Sequence, residues 1–284
     1  MSDLPIELQA EISDNVSRAL AEDIGSGDLS AQLVPPDQQV AARVLSRDEA
    51  VICGQPWFDE VFHQLSEAIN VTWLVTEGRL TQSDSYICEL SGPARTLLTG
   101  ERTALNFLQT LSATATSAHE YSAAVAGTAA TILDTRKTLP GLRQAQKYAV
   151  RVGGASNHRL GLHDAIMIKE NQIMACAGIE AAVSTARSRS NDVSIIVEVE
   201  TLDEAKTAMQ TEADRLLLDD FSLEDMRAAV ELRNNLAPGT KLEVSGGVTI
   251  KNVRKIAEVG VDFISVGSLT KHIKAADLSM RFKF

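Results

Sequence analysis

The chain has 284 residues, with 27 Lys and Arg against 38 Asp and Glu and a net charge of −11, which disfavours a general nucleic-acid binder with its basic face. An apolar share of 44% with few aromatics fills a sizeable core with Val, Leu, Ile and Ala, enough for one large α/β domain or a small domain beside a larger one. Cys53, Cys88 and Cys176 are widely spaced with no CxxC, so disulfides and zinc are disfavoured and a reducing, cytoplasmic setting is expected. No apolar run approaches the roughly 20 residues that span a bilayer, and the acidic, amphipathic "MSDLPIELQAEI" is unlike a signal peptide.

The pattern predicts a helix over residues 5–23, with Pro5 in its first turn. "DIGSGDLS" holds half a dinucleotide fingerprint, but no third Gly follows and no strand precedes, so it is expected to be a helix stop and turn. Strands are expected at "VAARVLS", "AVICG", "VTWLV", "YICELSG" and "ARTLLTG", with a helix at "PWFDEVFHQLSEAI". Together they form a small α+β domain ending near residue 100. A long helix follows from "GERTALNFLQTLSATATSAHEYSAAV". Apolar runs then recur at "TILD", "AIMIKE", "SIIVEVE", "RLLLDD", "KLEVSGG" and "DFISVGS". They lie about 20 to 35 residues apart, and helical patterns such as "LDEAKTAMQ", "LEDMRAAVELR" and "IKNVRKIAEVG" separate several of them, the rhythm of a parallel sheet. The strand count alone leaves an open barrel and an open sheet as alternatives.

Each of these runs ends in polar residues: Asp134 to Lys137, Lys169-Glu170, Glu198, Asp219-Asp220, Ser245-Gly246-Gly247 and Gly267-Ser268. In parallel α/β folds the carboxyl ends of the strands carry the site. The plain alternative is that each strand ends in a solvated charge. Gly246 and Gly247 allow close backbone approach to an anion at a helix start, and "SVGSLT" repeats the arrangement one unit later. The pair reads as a phosphate cradle that is not a P-loop. Glu198 and Asp219 suit Mg²⁺ or ribose hydroxyls. "RLLLDDFS" resembles the paired acids of the common phosphoribosyltransferases but lacks their Thr and Gly loop.

Cations gather in one stretch of this acidic chain: Arg136, Lys137, Arg143, Lys147, Arg151, Arg159 and Lys169, with His158 and His163. Arg143, Lys147 and Arg151 are expected on a solvated helix face. The two histidines, five apart, make a poor metal face. The other cations exceed what one phosphate needs and suit a substrate with more than one carboxylate beside a pyrophosphate, since Arg forks carboxylates bidentately.

"GERTALNFLQTLSATAT", "LDTRKTLPGLRQAQKYAVRVGGASNHRLGLHDAIMIKEN", "VEVE", "LLLDD", "SGGV" and "SVGSLT" resemble the quinolinate phosphoribosyltransferase family over nearly the whole chain. The resemblance implies an N-terminal α/β sandwich domain plus an incomplete (open) TIM-like α/β barrel. Domains are expected over 1–108 and 109–270, with 271–284 returning to the first. It implies transfer of phosphoribosyl from 5-phosphoribosyl 1-pyrophosphate to quinolinate with loss of CO₂, giving nicotinate mononucleotide. Mg²⁺ would accompany the pyrophosphate, held by Glu198 and Asp219, with no organic cofactor. By residue matching, Arg102, Thr135, Arg136, Lys137, His158, Arg159 and Lys169 hold quinolinate. Lys137, Lys169, Glu198 and Asp219 lie nearest the reacting bond and, with Ser245, Gly246, Gly247, Gly267 and Ser268, bind the phosphoribosyl pyrophosphate. The family forms homodimers in which Arg102 enters the partner's site; no nucleic acid or membrane partner is implied. Lys271 and His272 receive no role. The alternatives are a related transferase with another acceptor, such as the homologue linked to molybdate uptake, a nicotinate-specific enzyme, and a non-catalytic barrel that binds phosphorylated ligands.

Overall fold

The computed structural model describes residues 4–190 and 192–283. In chain order the elements are α1 (Ile6–Ile24), β1 (Gln39–Ser46), β2 (Ala50–Val51), α2 (Gln55–Leu65), β3 (Asn70–Trp73), β4 (Leu80–Thr81), β5 (Ser85–Pro93) and α3 (Ala94–Ala124). There follow β6 (Thr131–Leu133), α4 (Arg143–Val152), β7 (Ala165–Ile168), α5 (Glu170–Ala175), α6 (Ile179–Arg189), β8 (Ser194–Val199), α7 (Leu202–Met209) and β9 (Arg215–Asp219). The last are α8 (Leu223–Leu236), β10 (Lys241–Ser245), α9 (Val253–Ala257), β11 (Phe263–Ser265), α10 (Ser268–Lys271) and β12 (Leu278–Lys283). Two compact units result, one of residues 1–119, 138–154 and 269–284, the other of residues 120–137 and 155–268.

The first unit is built on an antiparallel sheet ordered β12-β1-β5-β3. Ala42, Val44, Cys88, Leu90, Leu278 and Met280 of this sheet share a core with the helices. On α1, Leu8, Ile12, Val16 and Leu20 recur every four residues and so line one helical face, which joins Trp57, Phe58, Val61 and Phe62 of α2 in that core. Gly54, which precedes α2, brings no side chain to cap it. Glu77 does so instead, accepting the Gly54 amide at 2.8 Å and the Gln55 amide at 3.2 Å. "ARTLLTG" is not a strand: α3 begins at Ala94, directly after Pro93. Its apolar residues Ala94, Leu97 and Leu98 already follow the i, i+3, i+4 spacing of a helix, and Leu97, Ala104, Leu105 and Leu108 continue that face into the core. Gly100 is tolerated inside this helix because a Cβ there would lie 2.7 Å from the Phe62 ring. Helix α4 belongs to this unit, since Ala145 and Ala149 enter its core. Lys147, expected on a solvated face, is buried at 2% exposure, whereas Arg151 is exposed.

Asp59 on α2 accepts the Trp73 indole N–H at 3.0 Å in this unit. Burial raises its pKa to about 6, the Trp73 bond opposing only in part. Its folded pKa thus lies above the unfolded value of about 3.9. The associated stability is present below about pH 4 and lost as pH rises through about 6. Asp59→Asn keeps an acceptor for Trp73 and removes the charge. It is expected to stabilise the protein by on the order of 2 kcal/mol at pH 7–8 and by nearly nothing at pH 4. Urea melts at the two pH values check this, and an equal shift at both would contradict the assignment.

The second unit is a parallel sheet ordered β6-β11-β10-β9-β8-β7. The edge strands β6 and β7 do not pair with each other; β6 instead makes a parallel bridge from Leu133 to Ser156. The architecture is therefore the small sheet domain and incomplete α/β barrel that the family resemblance implied. Alternate residues face opposite sides. Ile195, Val197, Leu216, Leu218, Leu242, Val244 and Ile264 are all buried at 2% exposure or less. The opposite face carries Ala165, Met167, Ile196 and Leu217 as a small apolar cluster. Above and beside it lie Glu198, Asp219, Glu243, Ser245 and Ser265, lining a cleft. Short loops lead into capped helices: Thr201 accepts the Glu204 amide at 3.2 Å ahead of α7, and Ser222 accepts the Asp225 amide at 3.1 Å ahead of α8. The helix expected over "IKNVRKIAEVG" shrinks to Val253–Ala257, because Asn252 ties its amide to Gly247 O at 3.0 Å and its oxygen to the Thr249 amide at 2.7 Å, holding a turn.

Candidate active site

The carboxyl ends of the second unit's strands surround a cleft of about 480 Å³. Its lining brings together Thr135, Arg136, Lys137, His158, Arg159, Lys169, Glu198, Asp219, Ser245, Gly246 and Gly267, all expected there. Of the remaining expected residues, Gly247 and Ser268 are not in the lining. Ser268 Oγ instead lies 3.4 Å from the Tyr121 hydroxyl. Arg102 is exposed on α3, in the first unit. Asp220, paired with Asp219 among the polar strand ends, also lines it, whereas Glu243, Met167, Leu217 and Ser265 line the cleft but were not expected there. An acid in the middle of the buried strand "KLEVS" was a readable signal for Glu243.

The cationic wall is anchored from beneath. Asp134, fully buried after β6, accepts the His158 amide at 2.8 Å and the Asn157 side-chain N–H at 2.7 Å. This holds the 155–159 segment against the end of β6. His158 Nδ1 accepts the Arg159 amide at 2.7 Å. The Arg159 guanidinium donates to Ala165 O at 3.1 Å and to Met167 Sδ at 3.7 Å. Burial first, then repulsion from Arg136, lowers the pKa of Arg159. Two guanidinium groups that repel across one cleft form a site that a dianion stabilises. Asp164 pins the adjoining loop, accepting the Leu160 amide at 2.6 Å and the Gly161 amide at 3.1 Å. His163 is exposed and does not line the cleft.

The opposite wall is acidic and glycine-rich. Lys169 Nζ donates to Glu198, and Ser245 Oγ donates to Asp219. Gly246 has φ +84°, and a Cβ there would lie 2.0 Å from Asp220 Oδ1, so this turn requires glycine. Gly247 follows at φ +55°, and two successive positive-φ residues turn the chain sharply at the end of β10. A Cβ on Gly267 would lie 3.3 Å from Lys137 Cδ, so its missing side chain leaves the space that Lys137 uses. Among the described residues, no group of three or more His, Cys, Asp and Glu could hold a metal ion. Two carboxylates facing a cleft nonetheless fit magnesium, which takes one or two acids together with substrate phosphates.

The chain matches the family models described as "Quinolinate phosphoribosyl transferase, N-terminal domain" over residues 28–112 and "Quinolinate phosphoribosyl transferase, C-terminal domain" over residues 114–281. It is similar to the solved nicotinate-nucleotide pyrophosphorylase of Francisella tularensis, with a TM-score of 0.92 and 43% identity, covering 99% of this chain and 98% of that one. NadC of Streptococcus pyogenes superposes with a TM-score of 0.93 at 34% identity, covering 99% of each chain. The nicotinate-nucleotide pyrophosphorylase (carboxylating) of Mycobacterium leprae is 38% identical over 273 residues, 94% of this chain and 95% of its own. With both domain models matched in order and full-length relatives on either side, this chain belongs to the quinolinate phosphoribosyltransferase family.

Proposed function

We propose that this protein transfers the phosphoribosyl group of 5-phosphoribosyl 1-pyrophosphate to quinolinate and releases pyrophosphate, CO₂ and nicotinate mononucleotide, a step of de novo NAD synthesis. The observation that carries this reading is the pair Arg136 and Arg159, which repel each other beside the Lys169–Glu198 pair and the Gly246 turn. A ring with two adjacent carboxylates matches this pair of guanidinium groups. Thr135, Arg136, His158, Arg159 and Lys169 form its wall. Lys137 and Lys169 face the pyrophosphate. Glu198 and Asp219 face the ribose, and Ser245 to Gly247, Gly267 and Ser268 receive the 5-phosphate. Arg102 of a second copy completes the acceptor site in a homodimer.

The ring nitrogen of quinolinate uses its lone pair to bond the anomeric carbon as the C–O bond to pyrophosphate breaks. Cations on one wall stabilise the departing charge, and acids on the other stabilise the cation-like ribose, so the rate comes from positioning and preorganised charge. The carboxylate next to the ring nitrogen then leaves as CO₂. Its electron pair stays on the ring carbon beside the positive nitrogen until a proton from water replaces it, so the substrate is its own electron sink. Magnesium bound with the pyrophosphate, against Glu198 and Asp219, would neutralise leaving-group charge.

No helix of the described residues is long and apolar enough to cross a membrane. Cys53, Cys88 and Cys176 are free thiols. We place this reaction in the cytoplasm, a reducing compartment that keeps such thiols free. Incubation of the protein with quinolinate, phosphoribosyl pyrophosphate and Mg²⁺ is expected to give nicotinate mononucleotide and CO₂ in equal amounts, and nicotinate in its place is expected to give none. Turnover of nicotinate alone would replace the acceptor. No turnover of either would remove the reading.

A further inference from the structure

Glu243 lies mid-strand in β10, fully buried yet lining the cleft. Two neighbours donate to it and a third lies against it. Ser265 Oγ on β11 donates to Oε1, and Arg215 Nη1 on β9 donates to Oε2 at 2.9 Å. His158 Nε2 lies 3.2 Å from Oε1. Arg215 is itself fixed by the Phe263 ring, 4.1 Å beneath its guanidinium carbon. Burial pushes the Glu243 carboxyl up, but the contact with His158 and the hydrogen bonds from Ser265 and Arg215 outweigh it and hold the group below the usual range. It is therefore ionised at neutral pH. Both of its oxygens are already taken by protein donors, Ser265 on Oε1 and Arg215 on Oε2, so its use lies elsewhere than substrate contact.

That use is visible at His158. A ring nitrogen that accepts a hydrogen bond carries no proton, and Nδ1 accepts the Arg159 amide at 2.7 Å. In the neutral ring the proton is then on Nε2, the nitrogen that faces Glu243. The carboxylate on one side and the amide on the other demand the same tautomer. The residue is 8% exposed, and its own amide is held by Asp134. The next residue carries the guanidinium that Ala165 O and Met167 Sδ aim along the wall.

We propose that Glu243 is a positioning residue for the acceptor carboxylates: it locks the His158 imidazole with its proton on Nε2, so that Nδ1 receives the Arg159 amide and the Arg159 guanidinium is set at a fixed depth in the cleft. The inference rests on quinolinate as the acceptor. It makes His158 a strut between Glu243 and Arg159 within the acceptor wall.

Glu243→Gln keeps the shape but has one oxygen and one amide nitrogen, so it serves His158 or Arg215 and opposes the other. It is expected to raise the KM for quinolinate about 10-fold or more while the KM for phosphoribosyl pyrophosphate stays within about threefold. His158→Asn places an amide oxygen where Nδ1 was and keeps the Arg159 contact, but does not reach Glu243. In that background Glu243→Gln is expected to add less than about twofold, because a residue acting through another has nothing left to act on. An unchanged quinolinate KM, an equal rise in both KM values, or the same rise in both backgrounds would overturn the proposal. A second measurement needs no variant at position 243. Nitrogen-15 NMR of the histidine-labelled full chain, with His158 identified by the signal lost in His158→Asn, is expected to show an unprotonated Nδ1 and a protonated Nε2. The reverse tautomer overturns the proposal. Failure of the wild type to turn over quinolinate would instead remove the acceptor and leave the tautomer result standing.

Discussion

Arg159→Ala is expected to raise the KM for quinolinate by about 10- to 150-fold, the worth of a charge-assisted hydrogen bond of about 1.5–3 kcal/mol. The guanidinium already spends donors on Ala165 O and Met167 Sδ. Its remaining N–H groups are those a carboxylate takes. The alanine keeps its backbone amide, so the bond to His158 Nδ1 survives and the variant isolates the guanidinium from the strut beneath it. Loss of Arg159 also relieves the repulsion from Arg136. One cation facing two carboxylates cannot restore the lost affinity, and lysine at 159 would bring back the charge without the fork. Steady-state kinetics with quinolinate varied at saturating phosphoribosyl pyrophosphate reads the effect. An unchanged KM takes Arg159 out of the carboxylate role.

The second large effect concerns two residues that lie far apart in the chain. Arg102→Ala and Asp219→Asn homodimers are each expected to be nearly inactive. Refolded together in equal amounts, they are expected to recover about a quarter of wild-type activity, because half the dimers are mixed and each mixed dimer has one site with both residues intact. The recovery follows only if Arg102 serves the site of the other subunit. If it served its own, every mixed site would lack one residue or the other. Mixed dimers that form, seen by mass or by differential tags, without any recovery of activity would refute the shared site.

Much of the cleft was legible in the sequence because a parallel strand announces its own end. Apolar runs stop where the sheet stops, and Lys169, Glu198, Asp219, Ser245 and Gly267 stand at those stops. Residues away from those stops were missed or misread. Glu243 stands in the middle of its strand, two residues before the end, and so escaped a reading that looked only at strand ends, although an acid inside an apolar run is itself a signal. Lys147 looked like one more solvated helix charge, and nothing local says that α4 is covered on that side. "ARTLLTG" carries its apolar residues Ala94, Leu97 and Leu98 at helical spacing, and the Gly at its end, which reads as a stop, is explained by the Phe62 ring packed against Gly100, a contact across 38 residues of sequence. The role proposed for Arg102 is beyond any reading of one chain's own pattern, since it rests on a second copy.

The pairing of β1 with β12, in which Ala42 faces Phe282, also governs how the protein is made. On the ribosome, β5 follows β1 within seconds and covers one of its edges. The other edge must wait for β12, roughly 10 to 50 s later at the usual 5–20 residues per second. During that interval the nascent chain carries an unpaired strand of the "VAARVLS" type, a ready template for a neighbouring polysome product. Arg43, in the middle of that strand and bonded to Glu89 on β5 at 2.6 Å, places charge on the exposed ribbon while it waits. Lys283 later arrives at the same Glu89, at 2.9 Å, as β12 closes the edge.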